Sequence, residues 1–230
     1  MKTKIKYGIV GSGLMGREHI SNINLINTAE VVAISDTNEN SINDAKNLLT
    51  NDIKVYSDNN EIFKNNEVDA FIISTPNFTH YDIIKEALKT EKHLLIEKPL
   101  CTKLEDCIEI KKLSASYPSV IWVAMEYRYM PPVQKMIQEI SSDTIGKLKM
   151  LSIREHRFPF LKKVDDWNRF QINTGGTLVE KCCHFFDLMR LITNSEVTQV
   201  YASGDQSVNH LNENYNGKVP DILDLSLIHI

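Results

Sequence analysis

The sequence predicts an α/β protein whose N-terminal domain is built around a parallel β-sheet. Strand-like and helix-like segments alternate through the first 125 residues, which is typical of parallel βαβ units. A glycine-rich turn follows the first strand-like segment, and uninterrupted apolar runs such as Phe71-Ile72-Ile73 indicate strands covered on both faces. The alternation ends near Tyr127, so we expect two domains, residues 1–124 and residues 125–230.

The first half contains six strand-like and four helix-like segments, which alternate except that the fourth strand follows the third with no helix between them. Strands are predicted at Lys4–Val10, Glu30–Asp36, Lys54–Tyr56, Val68–Ser74, His93–Glu97 and Val120–Met125. Helices are predicted at Met15–Leu25, Asn40–Leu49, Tyr81–Lys89 and Lys103–Ser116. The strands are short and rich in branched apolar residues, whereas the helices carry apolar residues at helical spacing.

The second half of the chain does not continue this alternation of strands and helices. Pro131 and Pro132 open a predicted helix that continues to Ile140, since proline is favoured in the first turn of a helix. After it we expect, in order, a half-exposed strand at Leu148–Arg154, a polar and aromatic loop at His156–Thr174, a helix at Thr177–Ile192 and a strand at Thr198–Ser203.

Composition narrows the classes of function. The chain has 230 residues, 42% hydrophobic and 24% charged, with a net charge of −4, so we expect no general attraction to nucleic acid or to an anionic membrane. Its apolar runs are too short for a membrane span. The four cysteines form no C-x-x-C pair, and we therefore expect neither a metal site nor a disulfide scaffold. We expect a soluble cytoplasmic protein.

A glycine motif follows the first predicted strand and opens the first predicted helix. It fits G-x-G-x-x-G and consists of Gly11, Ser12, Gly13, Leu14, Met15 and Gly16. In this context the pattern indicates a dinucleotide site: Gly11 permits a tight turn, Gly13 lets a diphosphate approach the backbone, and Gly16 lets the helix pack on the strand. The alternative interpretation is a tight glycine turn without a ligand.

Asp36 ends the second predicted strand, 20 residues after Gly16. Its carboxylate can accept hydrogen bonds from an adenosine ribose and would repel a 2′-phosphate. Thr37 follows, and no lysine or arginine comes before Lys46, so the sequence favours NAD over NADP. The alternative is an aspartate that caps a helix or a turn.

Two more polar groups follow predicted strands, at the edge where open α/β sheets bind ligands. Ser74, Thr75, Pro76, Asn77 and His80 follow the fourth strand, and Glu97 and Lys98 follow the fifth. A lysine at this position is suited to proton transfer with a substrate. An isolated surface lysine would be the alternative interpretation.

The last candidates lie in the second half. Glu180 and His184 are four residues apart on the predicted helix, so they share one face, where a carboxylate can orient an imidazole. The alternative is a histidine with a purely structural role. Trp167, Arg157 and Arg169 in the polar loop could bind substrate hydroxyls or cover the junction between the domains.

In these motifs the chain resembles the Gfo/Idh/MocA oxidoreductases, the group of glucose–fructose oxidoreductase and inositol dehydrogenase. The resemblance covers about residues 5–224. It rests on the glycine motif, Asp36, Thr75-Pro76-Asn77 with His80, Glu97-Lys98-Pro99, Tyr127-Arg128, and Gly175-Gly176 leading to His184 and Asp187. It implies an N-terminal Rossmann domain that holds NAD, with Arg128 among the cofactor-binding residues. It also implies an α+β C-terminal domain on a mostly antiparallel sheet, with the substrate between the two domains.

The resemblance also implies the chemistry. Lys98 and His184 would contact the reacting substrate, a sugar, a polyol or a derivative, and Glu180 stands where the family often has aspartate. Family members usually continue for roughly another hundred residues, so we interpret this chain as a fragment. They also tend to form homo-oligomers, and we expect the same of the full-length protein. Residues 225–230 do not resemble family sequence. Two alternatives within the family are an NAD-dependent glycoside hydrolase and a non-catalytic sugar or nucleotide sensor.

Overall fold

The computed structural model describes residues 4–142 and 144–230, which fall into two compact units. The first unit runs to Ala124 and also includes Lys163–Asp165. The second comprises Met125–Lys162 and Asp166–Ile230.

A six-stranded parallel sheet is the centre of the first unit. Its strands are β1 (Ile5–Val10), β2 (Ala29–Ser35), β3 (Lys54–Tyr56), β4 (Ala70–Ile73), β5 (His93–Ile96) and β6 (Ile121–Val123). They are arranged in the order β3-β2-β1-β4-β5-β6, and every neighbouring pair is parallel. The predicted α/β fold class is thereby confirmed, with all six predicted strands in the sheet.

Four α-helices connect these strands, as predicted. They are α1 (Leu14–Asn24), α2 (Glu39–Lys46), α3 (His80–Ala87) and α4 (Leu104–Leu113). Asn38 caps α2, because its side-chain oxygen accepts a hydrogen bond from the Ser41 amide at 3.0 Å. A short 3₁₀ helix at Glu61–Lys64 makes the connection between β3 and β4, for which the sequence predicted no helix.

Apolar side chains cover both faces of the sheet, because successive residues of a strand point to opposite sides. One core cluster contains Val10, Phe71 and Ile96, each with no exposed surface. The other contains Ile9 and Ile34, which are also fully buried. Covering of both faces explains why these strands are continuous apolar runs and not alternating ones.

The regular structure in the described residues of the second unit is mainly helical. Its helices are α5 (Pro131–Ser141), α6 (Gln171–Thr174), α7 (Thr177–Glu180) and α8 (Cys183–Thr193). Two strands, β7 (Tyr201–Asp205) and β8 (Leu225–His229), form an antiparallel pair. The proline start of α5 is confirmed. Strand β8 lies within residues 225–230, which do not resemble family sequence.

Two predicted elements are wrong. Leu148–Arg154 is not a strand, because its backbone forms no ladder with any described residue, and alternation alone does not make a strand. The predicted helix Thr177–Ile192 is interrupted at Lys181 and Cys182. There the Cys182 amide donates to the Thr177 carbonyl, five residues back, and this wide turn separates α7 from α8.

The remaining shifts are small. Strand β7 begins three residues later than the predicted strand at Thr198–Ser203. No helix in the described part of the chain has the length and apolar character needed to cross a membrane.

Candidate active site

The glycine motif lies at the point where the strand order of the sheet reverses. Strands β1 and β4 are neighbours there, and their carboxyl ends lead into Gly11 and Ser74. Gly11 has φ +88°, and a Cβ on it would lie 2.7 Å from the Thr75 amide nitrogen. A Cβ on Gly16 would lie 2.1 Å from the Gly11 carbonyl oxygen. Both positions therefore require glycine, and their contact brings the start of α1 against the end of β1.

The start of α1 fits a dinucleotide diphosphate. Gly13 is the N-cap residue and offers no capping side chain, and a Cβ on it would meet none of the described atoms within 4 Å. The first turn contains no acidic residue, so its amide groups favour an anion. Leu14, in that first turn, is 46% exposed.

Asp36 lies beside this loop, at the end of β2. One carboxylate oxygen accepts hydrogen bonds from the Ser12 amide at 2.7 Å and the Ser12 hydroxyl at 3.3 Å, and the other accepts from the Asn38 amide at 2.8 Å. The oxygen bound by Asn38 retains capacity for another donor such as a ribose hydroxyl. Thr37, next to it, is exposed.

The sequence analysis did not identify Arg17 as a cation near the glycine motif. Arg17, on α1, places its guanidinium 3.4 Å from the Ser12 carbonyl oxygen and 3.5 Å from an Asp44 carboxylate oxygen. The prediction considered only cations that follow Asp36 in sequence. Pairing with Asp44 compensates the charge of Arg17.

The loop after β4 contributes polar groups to the same edge. The Ser74 hydroxyl donates to the Gly11 carbonyl at 2.7 Å, and Pro76 precedes the 3₁₀ helix Asn77–Thr79. The Thr75 hydroxyl accepts from the Thr79 hydroxyl at 2.8 Å. The side-chain nitrogen Nδ2 of Asn77 is buried and has no hydrogen-bond partner among the described residues, so it is a donor suited to a bound ligand.

His80 is fully buried and holds two loops together. Its Nδ1 lies 2.8 Å from the Pro99 carbonyl oxygen and its Nε2 lies 3.0 Å from that of Thr75. Burial lowers the pKa of His80, and this effect outweighs the hydrogen bonds to the two carbonyls, which act in the opposite direction. The histidine therefore fixes the loops after β4 and β5 from beneath.

Glu97 and Lys98 follow β5, and Glu97 is held by an unpredicted partner. His19 Nε2, on α1, lies 2.7 Å from Glu97 Oε1, and the Lys98 amide donates to Glu97 Oε2 at 3.3 Å. Burial acts to raise the pKa of the Glu97 carboxyl, but the hydrogen bond and charge of His19, together with Lys98, outweigh it and lower the pKa. The pair thus fixes the backbone from which the Lys98 side chain departs.

In the second unit, His184 is contacted by two consecutive residues of the 3₁₀ helix Glu126–Tyr129. Its Nε2 lies 3.3 Å from Glu126 Oε1, and its ring stacks on that of Tyr127 with centroids 4.2 Å apart and planes 7° apart. His184 is 1% exposed. The sequence assigned the orienting role to Glu180, which is buried in α7, and missed both Glu126 and Tyr127.

Arg128 and Asp187 form a two-pronged ion pair within the second unit. The Arg128 Nε donates to one oxygen of Asp187 at 2.5 Å, and its Nη2 donates to the other. This pair ties the segment before α5 to α8. The resemblance implied a cofactor contact for Arg128, and the structure adds this intramolecular partner.

The three loop residues predicted to bind substrate have distinct surroundings. The Arg157 side chain is 40% exposed and lies 3.7 Å from Glu155, and Trp167 is half-buried. Arg169 is 2% exposed, and its Nε donates to Glu213 at 2.9 Å. Burial acts to raise the pKa of Glu213, but hydrogen bonds from His210, Tyr215 and Arg169 lower it to about 2. Arg169 therefore ties its loop to the segment around Glu213.

Comparison with known proteins agrees with this geometry. Residues 5–125 match the family model GFO_IDH_MocA, described as "Oxidoreductase family, NAD-binding Rossmann fold", and residues 137–222 match its companion, "Oxidoreductase family, C-terminal alpha/beta domain". The chain belongs to the Gfo/Idh/MocA oxidoreductase family. The NAD-binding Rossmann fold predicted for its first unit is thereby confirmed.

Individual Gfo/Idh/MocA members show how much of the chain is shared. It is 30% identical over 91% of its length to the oxidoreductase YrbE of Bacillus subtilis and 28% identical over 87% to myo-inositol 2-dehydrogenase of Thermotoga maritima. The solved structure of myo-inositol dehydrogenase from Lactobacillus casei, in complex with NAD(H) and myo-inositol, has a TM-score of 0.75 at 22% identity and covers 98% of this chain and 63% of its own. That likeness concerns the fold alone. The chain spans about 60% of the length of the curated relatives it matches.

Metal-ligand geometry is not found in the part of the chain that the structure describes. No group of three or more histidine, cysteine, aspartate or glutamate side chains there could hold an ion. The four cysteines are free thiols.

Two glycine substitutions distinguish a glycine that the fold requires from one that cofactor binding requires. Gly16→Ala places a methyl group against the Gly11 carbonyl, so we expect it to lower the free energy of unfolding by about 1–3 kcal/mol. Gly13→Ala meets no described atom, so we expect unchanged stability and weakened NADH binding. Urea denaturation and calorimetric NADH titration of both variants test this. Equal effects of the two substitutions on stability would contradict it.

The His19–Glu97 pair predicts a pH-dependent stability difference. The pKa of Glu97 is lower in the folded than in the unfolded protein, so its stabilisation is present above its ordinary value of 4.5 and is lost as the pH falls through the folded pKa. We expect His19→Leu to cost about 1–3 kcal/mol at neutral pH. The difference from the unsubstituted chain should shrink as the pH falls below 4.5 and Glu97 becomes protonated in both proteins.

Urea denaturation followed by circular dichroism at each pH measures this difference. His19→Gln, which can still donate to Glu97, should recover part of the loss. His156→Leu, at an exposed histidine, is the matched control. A difference that grows over the same acid range would show that the pair does not stabilise the charged carboxylate.

Proposed function

We propose that the whole protein is an NAD-dependent oxidoreductase that transfers a hydride between nicotinamide and a hydroxyl-bearing carbon of a sugar or polyol. The observation that carries the proposal is the uncapped, unobstructed start of α1 at Gly13, with Asp36 beside it, in a chain of an oxidoreductase family. Several relatives are named inositol dehydrogenases, which makes a cyclic polyol the first substrate to test.

The residues that would hold NAD lie at the carboxyl edge of the sheet. The backbone of the glycine motif would bind the diphosphate, Asp36 the ribose hydroxyls, and the loop after β4 the remainder through Asn77. When bound, NAD supplies the hydride acceptor and donor. These groups bind and orient the cofactor and do not take part in the proton transfer.

We assign proton transfer to Lys98 and His184. As the substrate hydroxyl is oxidised, one of them takes its proton, and in the reverse direction it returns that proton. Glu97 fixes the backbone of Lys98, while Glu126 and Tyr127 hold the His184 ring, and we retain Glu180 as a further orienting group. Arg157, Trp167 and Arg169 remain the proposed substrate-side residues of the loop.

From the family relationship we also propose that the whole protein is cytoplasmic and forms a homo-oligomer.

Substitution of the proton-transfer residues tests the assignment. We expect Lys98→Met and His184→Ala to lower turnover by about 10²–10⁴, the usual contribution of a positioned acid or base. NADH affinity should change little in His184→Ala. Single-turnover hydride transfer to NAD from myo-inositol and other polyols, read by NADH absorbance together with free sugar, is the measurement.

Lys135→Met is the matched control for the lysine, because Lys135 pairs with Glu139 on the surface of α5. Near-normal turnover in His184→Ala would contradict the assignment of His184. Release of sugar from an added glycoside without net NADH would instead identify the hydrolase alternative.

A further inference from the structure

Lys181 is a charged residue in a largely buried position that the reaction assigned above does not use. It lies in the wide turn between α7 and α8, and its side chain is 12% exposed. Lysine is rarely buried unless its charge is paired. Its ammonium group donates to the Tyr127 hydroxyl and lies 3.9 Å from a Glu155 carboxylate oxygen.

Tyr127 connects this ammonium group to the histidine. Its hydroxyl is bound by Lys181 and lies 3.5 Å from Glu155, while its ring stacks almost parallel on the His184 imidazole. The same ring contacts Phe185, with centroids 6.0 Å apart. The tyrosine is therefore fixed at its hydroxyl end by charge and along its ring by packing.

Two neighbouring residues contact His184 as a result. Glu126 Oε1 lies 3.3 Å from its Nε2, and the Tyr127 ring lies almost parallel over its face. The stacked ring fixes the plane of the imidazole, and the Glu126 carboxylate lies near one of its two nitrogens.

We propose that Lys181 and Tyr127 are positioning residues for His184: the Lys181 ammonium group anchors the Tyr127 hydroxyl, and the anchored ring holds the imidazole plane. The consequence for turnover rests on the function proposed above, whereas the positioning itself does not. Misplacement of a reacting group by about 1 Å can cost about 10²-fold in rate, so loss of the anchor should lower kcat more than it changes KM.

Nuclear magnetic resonance of the full chain with labelled histidine tests the positioning without any turnover. A stacked Tyr127 ring shifts the ring-proton resonances of His184 upfield, and His184→Gln identifies those resonances. We expect Tyr127→Leu to abolish the shift. Lys181→Met and Tyr127→Phe, which remove the anchor but keep the ring, should each lose most of the shift, whereas Lys181→Arg should retain it.

Turnover is then measured on the same variants with NAD and myo-inositol. We expect Lys181→Met to lower kcat about 10- to 100-fold with little change in KM, and Lys181→Arg to restore most of it. Lys135→Met is the matched control for loss of a lysine charge, because its ion pair lies within α5.

Each outcome has one meaning for the proposal. An upfield shift that survives Lys181→Met overturns the anchoring role, whatever happens to turnover. A shift that is lost while kcat is unchanged overturns the role in positioning for catalysis. If the shift is lost as expected but the unsubstituted whole protein reduces no NAD with any polyol, the anchoring stands and the proposed function fails.

Discussion

The close approach of α1 to the end of β1 is the contact on which the candidate cofactor site depends. At Gly16 the helix backbone lies so near the Gly11 carbonyl that a single methyl group would not fit. This approach directs the first turn of α1, with its free amide groups, to the edge where the strand order reverses. Asp36, Ser74 and Asn77 belong to that edge because β2 and β4 flank β1 in the sheet.

The fold of the first unit could be predicted from local sequence signals. Each strand is a short apolar run, and each helix has apolar residues at helical spacing. The glycine motif predicts the turn between the first strand and the first helix. The partners of functional residues could not be predicted in this way. His19 and Glu97 are 78 residues apart in sequence, and only the folded chain brings His19 on α1 to the residue after β5. Arg17 was missed because only cations that follow Asp36 in sequence were considered.

The second unit was harder to predict because its decisive feature is a departure from regular structure. Spacing placed Glu180 and His184 on one face of a continuous helix, whereas the backbone widens at Cys182 and ends α7 early. Two contacts of His184 come from Glu126 and Tyr127, on a 3₁₀ helix more than 50 residues before it, and spacing along one helix could not predict them. A strand at Leu148–Arg154 was likewise predicted from alternation alone, and alternation cannot supply the neighbouring strand that a ladder requires.

We infer that the glycine turn and Asp36 together make the first unit a site for NAD. Calorimetric titration of the chain with NADH and with NADPH decides this. We expect one NADH per chain. NADPH should bind about ten- to a hundred-fold more weakly, a difference of ~1–3 kcal/mol, since its 2′-phosphate would face the Asp36 carboxylate and the hydrogen bond of the ribose hydroxyl would be lost. Equal affinity for the two, or no binding of either, would contradict it.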